Sequence, residues 1–101
     1  MSLFTGLGAF PLTPLANDAI DERAFSALIE RLAEARVDSI TALGSTGSYA
    51  YLSRAERARV AQLAVQHAGD TPVFVGVGAL RTSQVLENVD TAAEAGASGI
   101  L

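Results

Sequence analysis

The feature that most constrains this chain is a regular alternation of short apolar runs with amphipathic helical segments. Helix start signals fall at Asp21, Ser53 and Thr82, so one strand, one loop and one helix recur at intervals of about 30 residues. A fourth apolar run follows the third helical segment. The order βαβαβαβ predicts an α/β fold with a parallel sheet, because each helix must return the chain to the same end of the sheet.

The apolar runs and the helix signals give a coarse map of the elements. The first strand is expected to be buried, glycine-spaced and followed by the turn residues Thr13-Pro14 and then Asn17-Asp18. The four predicted strands cover residues 5–12, 37–43, 72–77 and 97–101. The predicted N-caps are Asp21, Ser53 in a capping box with Glu56, and Thr82 or Ser83, and Ile20 is expected to pack on Phe25 across the first cap. The predicted helix ends are Gly69 after helix two and Gly96 after helix three. The predicted inward residues are Phe25, Leu28, Ile29 and Leu32 in helix one (residues 22–35), Val60, Leu63 and Ala64 in helix two, and Val85, Leu86, Val89, Ala92 and Ala93 in helix three.

Such an order suits either a (β/α)₈ barrel or an open, doubly wound sheet. A barrel needs eight strands in about 250 residues, whereas this chain has 101. Alone, the four predicted strands would leave two sheet edges unpaired. We therefore expect residues 1–101 to be the N-terminal part of a single domain in a longer natural protein.

Composition excludes several classes of function. The net charge is −4 and the sequence contains no basic run, so we expect neither a nucleic-acid nor a membrane partner. The sequence contains no cysteine, which removes disulfides, zinc thiolates and a thiol nucleophile. No signal peptide or membrane-spanning run is evident, and we expect a soluble, cytoplasmic protein. All 7 basic residues are arginine, so any side-chain amine must come from outside these residues.

The most informative loop is Gly44-Ser45-Thr46-Gly47-Ser48, directly after the second strand. In parallel α/β folds such loops build the site. Glycines allow close approach of a ligand, and successive N–H groups can receive an anion such as a carboxylate. The Walker phosphate-loop pattern is absent because no Gly-Lys-Ser/Thr follows. The residues alone leave a plain strand-to-helix connection equally open.

Other candidates favour structural roles. The Gly6-Leu7-Gly8 and Gly76-Val77-Gly78 segments lack the third glycine of a dinucleotide loop, which favours close packing. A packed or dipole-stabilising His67 is favoured over a catalytic one. Tyr49 and Tyr51 are expected to cover the mouth of a barrel, although lining a site or a subunit contact stays open. Arg54, Arg57 and Arg59 are expected to form a solvated helix face, and the acidic residues show no metal-site spacing.

Taken together, several motifs along the chain resemble those of one protein family. The chain resembles the dihydrodipicolinate synthase / N-acetylneuraminate lyase family of class I aldolases over essentially its whole length, as about the first third of a family barrel. The motifs that carry this resemblance are Phe4-Thr5-Gly6 leading to Thr13-Pro14, Gly-Ser-Thr-Gly at 44–47, Leu52-Ser53, Glu56-Arg57, and Val-Phe-Val-Gly-Val-Gly at 73–78.

The resemblance implies a TIM barrel that binds pyruvate or another 2-keto acid as a Schiff base on a lysine of a later strand. It implies that Gly44, Ser45, Thr46 and Gly47 receive the keto-acid carboxylate. Ser45 would also act catalytically, in a proton relay with a tyrosine of a later strand. It further implies no cofactor and no metal, an aldehyde as second substrate, and a homo-oligomer, commonly a tetramer.

Three departures from the family pattern bear on the choice of reaction. Ser48 stands where glutamate is usual, Arg36 where helix one usually ends on glycine, and Ser45 where the synthases favour threonine. The expected function is a carbon–carbon lyase or synthase acting on pyruvate and an aldehyde, similar to dihydrodipicolinate synthase. The alternatives are the N-acetylneuraminate lyase branch, a sugar-acid aldolase or dehydratase, and a non-catalytic relative that binds a keto acid. The remaining hypothesis is a binding domain built on an open, doubly wound sheet.

Overall fold

The computed structural model describes residues 3–101 and contains the predicted alternation of strands and helices. The elements in chain order are β1 (Gly8–Ala9), β2 (Leu15–Ala16), β3 (Ala19–Ile20), α1 (Glu22–Glu34), β4 (Ser39–Ala42), a 3₁₀ helix (Tyr49–Tyr51), α2 (Arg54–His67), β5 (Val73–Val75), α3 (Thr82–Ala95) and β6 (Gly99–Ile100).

The main sheet is parallel, and its strands follow one another in chain order as β1-β4-β5-β6. Helix α2 packs on both α1 and α3, and it also contacts β4 and β5. All three helices therefore cover one face of the sheet. An open, doubly wound sheet would reverse its strand order and place helices on both faces. The winding is that of a partial (β/α) barrel, which confirms the predicted fold class.

Alternation along the strands separates the two faces of the sheet. Ile40, Ala42, Val73 and Val75 join the buried cluster with Phe25, Ile29, Val60 and Ala64 of the helices. Ser39, Thr41, Phe74 and Ile100 line the opposite, concave face together with Gly8 and Phe10. Successive strand residues point to opposite faces, so the concave face corresponds to the interior of the barrel.

The helix starts follow the sequence signals in two of three cases. The Asp21 carboxylate accepts from the backbone N–H of Ala24, and the Ser53/Glu56 capping box is complete. The prediction for α3 is wrong, because the N-cap is Arg81 in extended conformation, with no side-chain cap bond. Gly69 and Gly96 both have positive φ just beyond their helices, as a left-handed stop requires.

The turn after helix α1 contains a residue in a strained backbone conformation. Arg36 has a φ of 58°, in the left-handed region that costs a side-chain-bearing residue about 1–2 kcal/mol. Its N–H donates to the Ala33 carbonyl, and the N–H of Val37 reaches back to the Leu32 carbonyl. The turn is therefore the one that glycine usually makes, so the substitution changes the strain of the turn and leaves its path intact.

The first strand differs from the prediction in two ways. It is shorter, because β1 pairs only with β4 over two residues and Pro11 has no N–H to continue a ladder. It is also not buried, since Leu7, Phe10 and Leu12 are exposed. A two-stranded antiparallel hairpin of β2 and β3 follows, with Asn17 and Asp18 both at positive φ in its turn. The sequence predicted only the turn.

Two residues predicted to face inward from helix three do not. Leu86 is 60% exposed and Ala93 is exposed, whereas Ala92 is buried and Val85 and Val89 pack partly against the core. Leu86 is therefore left largely uncovered by the described residues. Within residues 3–101, no helix is long and apolar enough to cross a membrane, and no cluster of potential metal ligands occurs.

Candidate functional site

The Gly44–Ser48 loop leaves the carboxyl end of β4 and leads into the 3₁₀ helix before α2. Its two glycines are buried, while Ser45 and Thr46 are exposed. A backbone bond from the Ser48 N–H to the Ser45 carbonyl closes the loop at 3.0 Å. The four residues predicted to receive a carboxylate are therefore contiguous at the strand end, with both hydroxyl residues open to solvent.

The loop begins with a sharp departure from the sheet at Leu43. This buried residue has a φ of 61°, a conformation that is uncommon for a side-chain-bearing residue and concentrates at functional sites. Its carbonyl turns toward the neighbouring strand end, where a Cβ added to Gly76 would lie 2.0 Å from the Leu43 oxygen. Gly76 therefore makes room for the turn that presents the loop, which supports the packing interpretation of the Gly76-Val77-Gly78 segment.

The other side of the loop is also closely packed. A Cβ added to Gly47 would lie 3.1 Å from the Leu43 nitrogen and 3.3 Å from the Pro11 carbonyl oxygen. One added to Gly44 would lie 3.1 Å from the Phe10 ring. The segment after β1 thus packs against the loop after β4, and Gly44 and Gly47 allow the two segments to approach this closely.

Arg57 contradicts the prediction of a uniformly solvated arginine face on α2. Its Nη1 donates to the Gly78 carbonyl at 2.8 Å and its Nη2 to the Gly76 carbonyl at 3.0 Å. The guanidinium lies 5.3 Å from the centroid of the Tyr49 ring, within cation–π distance. Burial lowers the pKa of Arg57 below its ordinary value, and the interaction with Tyr49 opposes that shift. The group remains a cation, because its ordinary pKa is far above neutrality.

The other two arginines behave as predicted. Arg54 lies 3.2 Å from a Glu87 carboxylate oxygen and Arg59 2.8 Å from Glu22, and about half or more of each side chain is exposed. These pairs link α2 to its neighbours α3 and α1. Sequence reasoning missed Arg57 because its acceptors are 19 and 21 residues away in the chain, and only the fold brings them together.

The aromatic and histidine candidates differ in their surroundings. Tyr49 is half-buried beside Arg57, whereas Tyr51 is 84% exposed at the end of the 3₁₀ helix. His67 Nδ1 lies 2.8 Å from Glu30 Oε2, so the ring joins the last turn of α2 to α1. This contact supports the structural role favoured for His67.

Comparison with known proteins gives one consistent family. The model of the dihydrodipicolinate synthetase family matches residues 3–101. Among curated relatives, a 4-hydroxy-tetrahydrodipicolinate synthase of Hyphomonas neptunium is 39% identical over 93% of this chain and 33% of its own length. The enzyme of that name from Phenylobacterium zucineum is 37% identical over 98% of this chain and 34% of its own. The chain thus spans about a third of the length of the curated relatives it matches.

Solved structures give the same result at the level of the fold. A dihydrodipicolinate synthase of Agrobacterium tumefaciens superposes with a TM-score of 0.93 at 44% identity, over 97% of this chain and 34% of that one. A prophage protein of E. coli K12 from the dihydrodipicolinic acid synthase family, solved in complex with pyruvate, superposes with a TM-score of 0.91 at 35% identity. That match covers 98% of this chain and 34% of that one.

Proposed function

The chain belongs to the dihydrodipicolinate synthetase family, as its motifs predict, and on that premise we propose that the protein carrying it condenses or cleaves pyruvate and an aldehyde. The reaction would run through a Schiff base between the keto acid and a lysine, which must lie outside these residues because they contain none. The observation that carries the proposal is the glycine-flanked hydroxyl loop at the carboxyl end of β4, inside the matched region.

In this proposal, Gly44, Ser45, Thr46 and Gly47 hold the keto-acid carboxylate. A held carboxylate fixes the adjacent carbonyl for attack by an amine, which converts an encounter into an oriented step. The Ser45 hydroxyl, next to that carbonyl, passes a proton in a relay completed by a tyrosine of a later strand. The pyruvate-bound relative from E. coli supports a keto acid as the ligand.

The names of the curated relatives favour a synthase of the dihydrodipicolinate type. Ser48 in place of the usual glutamate and Ser45 in place of threonine keep the lyase, sugar-acid aldolase and dehydratase branches as the second candidate. We further propose a homotetramer, as the family resemblance implies, and a location in the cytoplasm. Neither a cofactor nor a metal is part of the proposed reaction.

Trapping of the imine tests the proposal. The full-length protein is treated with pyruvate and borohydride and is expected to gain the mass of one reduced pyruvyl group per subunit. Peptide mapping must locate this group on a lysine beyond residue 101, because the N-terminal amine can react slowly as background. A protein that forms no such adduct with any 2-keto acid would favour the non-catalytic, keto-acid-binding alternative. The aldehyde is then identified by turnover with candidate aldehydes.

A further inference from the structure

The Arg57 guanidinium connects three parts of the molecule that meet at the candidate site. It projects from the first turn of α2 and donates two hydrogen bonds, to the carbonyls of Gly76 and Gly78 just beyond β5, while its Nε is buried without a hydrogen-bond partner among the described residues. A two-pronged donor of this kind fixes both position and orientation, because the guanidinium is rigid and planar. The strand end of β5 is thereby tied to α2.

This tie reaches the start of the substrate loop through Gly76. The Gly76 N–H donates to the Ala42 carbonyl at 2.8 Å, and its Cα lies against the Leu43 carbonyl, where a Cβ could not be placed. The Gly76 carbonyl is meanwhile held by Arg57 at 3.0 Å. Any shift of Gly76 would therefore displace the left-handed turn at Leu43, from which Gly44 and Ser45 follow.

A second connection reaches the end of the same loop through Tyr49. The Tyr49 ring lies beneath the Arg57 guanidinium and also faces Gly78, whose added Cβ would be 3.4 Å from the ring. Tyr49 directly follows Ser48, which has a φ of 59°. The ring therefore anchors the left-handed residue on which the loop ends.

We propose that Arg57 is a positioning residue for the Gly44–Ser48 loop, holding its start through Gly76 and its end through Tyr49. The inference deepens the proposed function and rests on it in one respect, that this loop binds the keto-acid carboxylate. Arg57 itself is not proposed to touch the substrate. Its effect is to fix where the loop N–H groups and hydroxyls stand before a ligand arrives.

The experiment compares Arg57→Met, Arg57→Lys and Arg59→Met in the full-length protein. Arg59→Met removes the same charge from the same helix, but it breaks only an exposed pair with Glu22. Amide hydrogen exchange is measured for peptides covering residues 43–52, and kcat and the KM for pyruvate are measured alongside.

Arg57→Met is expected to speed exchange in that segment and to raise the pyruvate KM about 10- to 100-fold, since a misplacement of about 1 Å can cost that much. Arg57→Lys, which keeps the charge but cannot donate as a planar fork, should fall between Arg57→Met and the wild type, and Arg59→Met should resemble the wild type.

Two results would overturn the inference. One is loop exchange and a pyruvate KM in Arg57→Met that match those of Arg59→Met. The other is faster exchange spread evenly over all of α2 and β5, which indicates a general loss of stability. If Arg57→Met fails to fold, Tyr49→Leu cuts the second connection alone and must still speed exchange at residues 48–52. Failure of the proposed function is separate, because it shows as absence of the trapped adduct in the wild type, whereas exchange reports on Arg57 whichever ligand the loop binds.

Discussion

At the scale of single residues, Ser45 carries the most specific chemical expectation. Ser45→Ala in the full-length protein is expected to lower turnover by about 10²- to 10⁴-fold, the usual contribution of a positioned proton-transfer group. The borohydride-trapped adduct should persist, because the lysine and the relay are separate parts. Steady-state kinetics and intact mass measure the two effects, and Ser83→Ala, at an exposed serine of α3, is the control. Full turnover in Ser45→Ala would remove this residue from the mechanism.

The residues also show what sequence reasoning can and cannot reach. Local signals were sufficient for the Asp21 cap, the Ser53/Glu56 box and the position of the Gly44–Ser48 loop, because each depends on neighbours in the chain. The two hydrogen bonds of Arg57 could not be predicted from the sequence, because their acceptors are carbonyls that follow β5. The role of Ser45 stays a prediction, because the groups expected to complete the relay lie on later strands.

At the scale of elements, the sequence predicts the positions of the four main strands correctly but makes each strand too long. Each predicted run contains an observed strand, yet β1 has two paired residues, because strand length depends on what pairs alongside. The β2–β3 hairpin was missed for a related reason, since strands of two residues are too short to show any alternation. The exposed face of α3 was predicted to be buried because apolar periodicity does not say which neighbour covers it.

The ion pair between α1 and α2 gives a pH dependence at this scale. Arg59 donates to the Glu22 carboxylate, which lowers the pKa of Glu22 below its ordinary value of 4.5. Since the folded pKa is the lower one, the pair stabilises the protein above pH 4.5, and this contribution is lost as the pH falls through the lowered pKa. Glu22→Gln should therefore lower the Tm of the full-length protein slightly at pH 7 and by less at pH 3.

Thermal melts at the two pH values measure this difference, and added salt should reduce it at pH 7, because both side chains are exposed. A Tm difference that is equal at pH 7 and pH 3 would show that Glu22 acts through packing or helix capping, with no part for its charge.

At the scale of the whole molecule, the concave face of the sheet is apolar and open. Phe10 is 48% exposed, Ile100 50% and Leu101 61%, and β1 and β6 each have one unpaired edge among the described strands. Residues 1–101 expressed alone are therefore expected to aggregate or to form a molten state. Thermal unfolding and sedimentation velocity measure this, with the full-length protein as control. A sharp two-state melt from a monomer would contradict the expectation.

The winding of the sheet has a consequence for synthesis. Each main strand after β1 pairs with the main strand before it, and α2 and α3 each pack on the preceding helix, so these contacts all join neighbouring units of the chain. These contacts can form in the order of synthesis, with the free edge of the newest strand serving as the template for the next, whereas stable folding waits for the later units that cover the exposed apolar face.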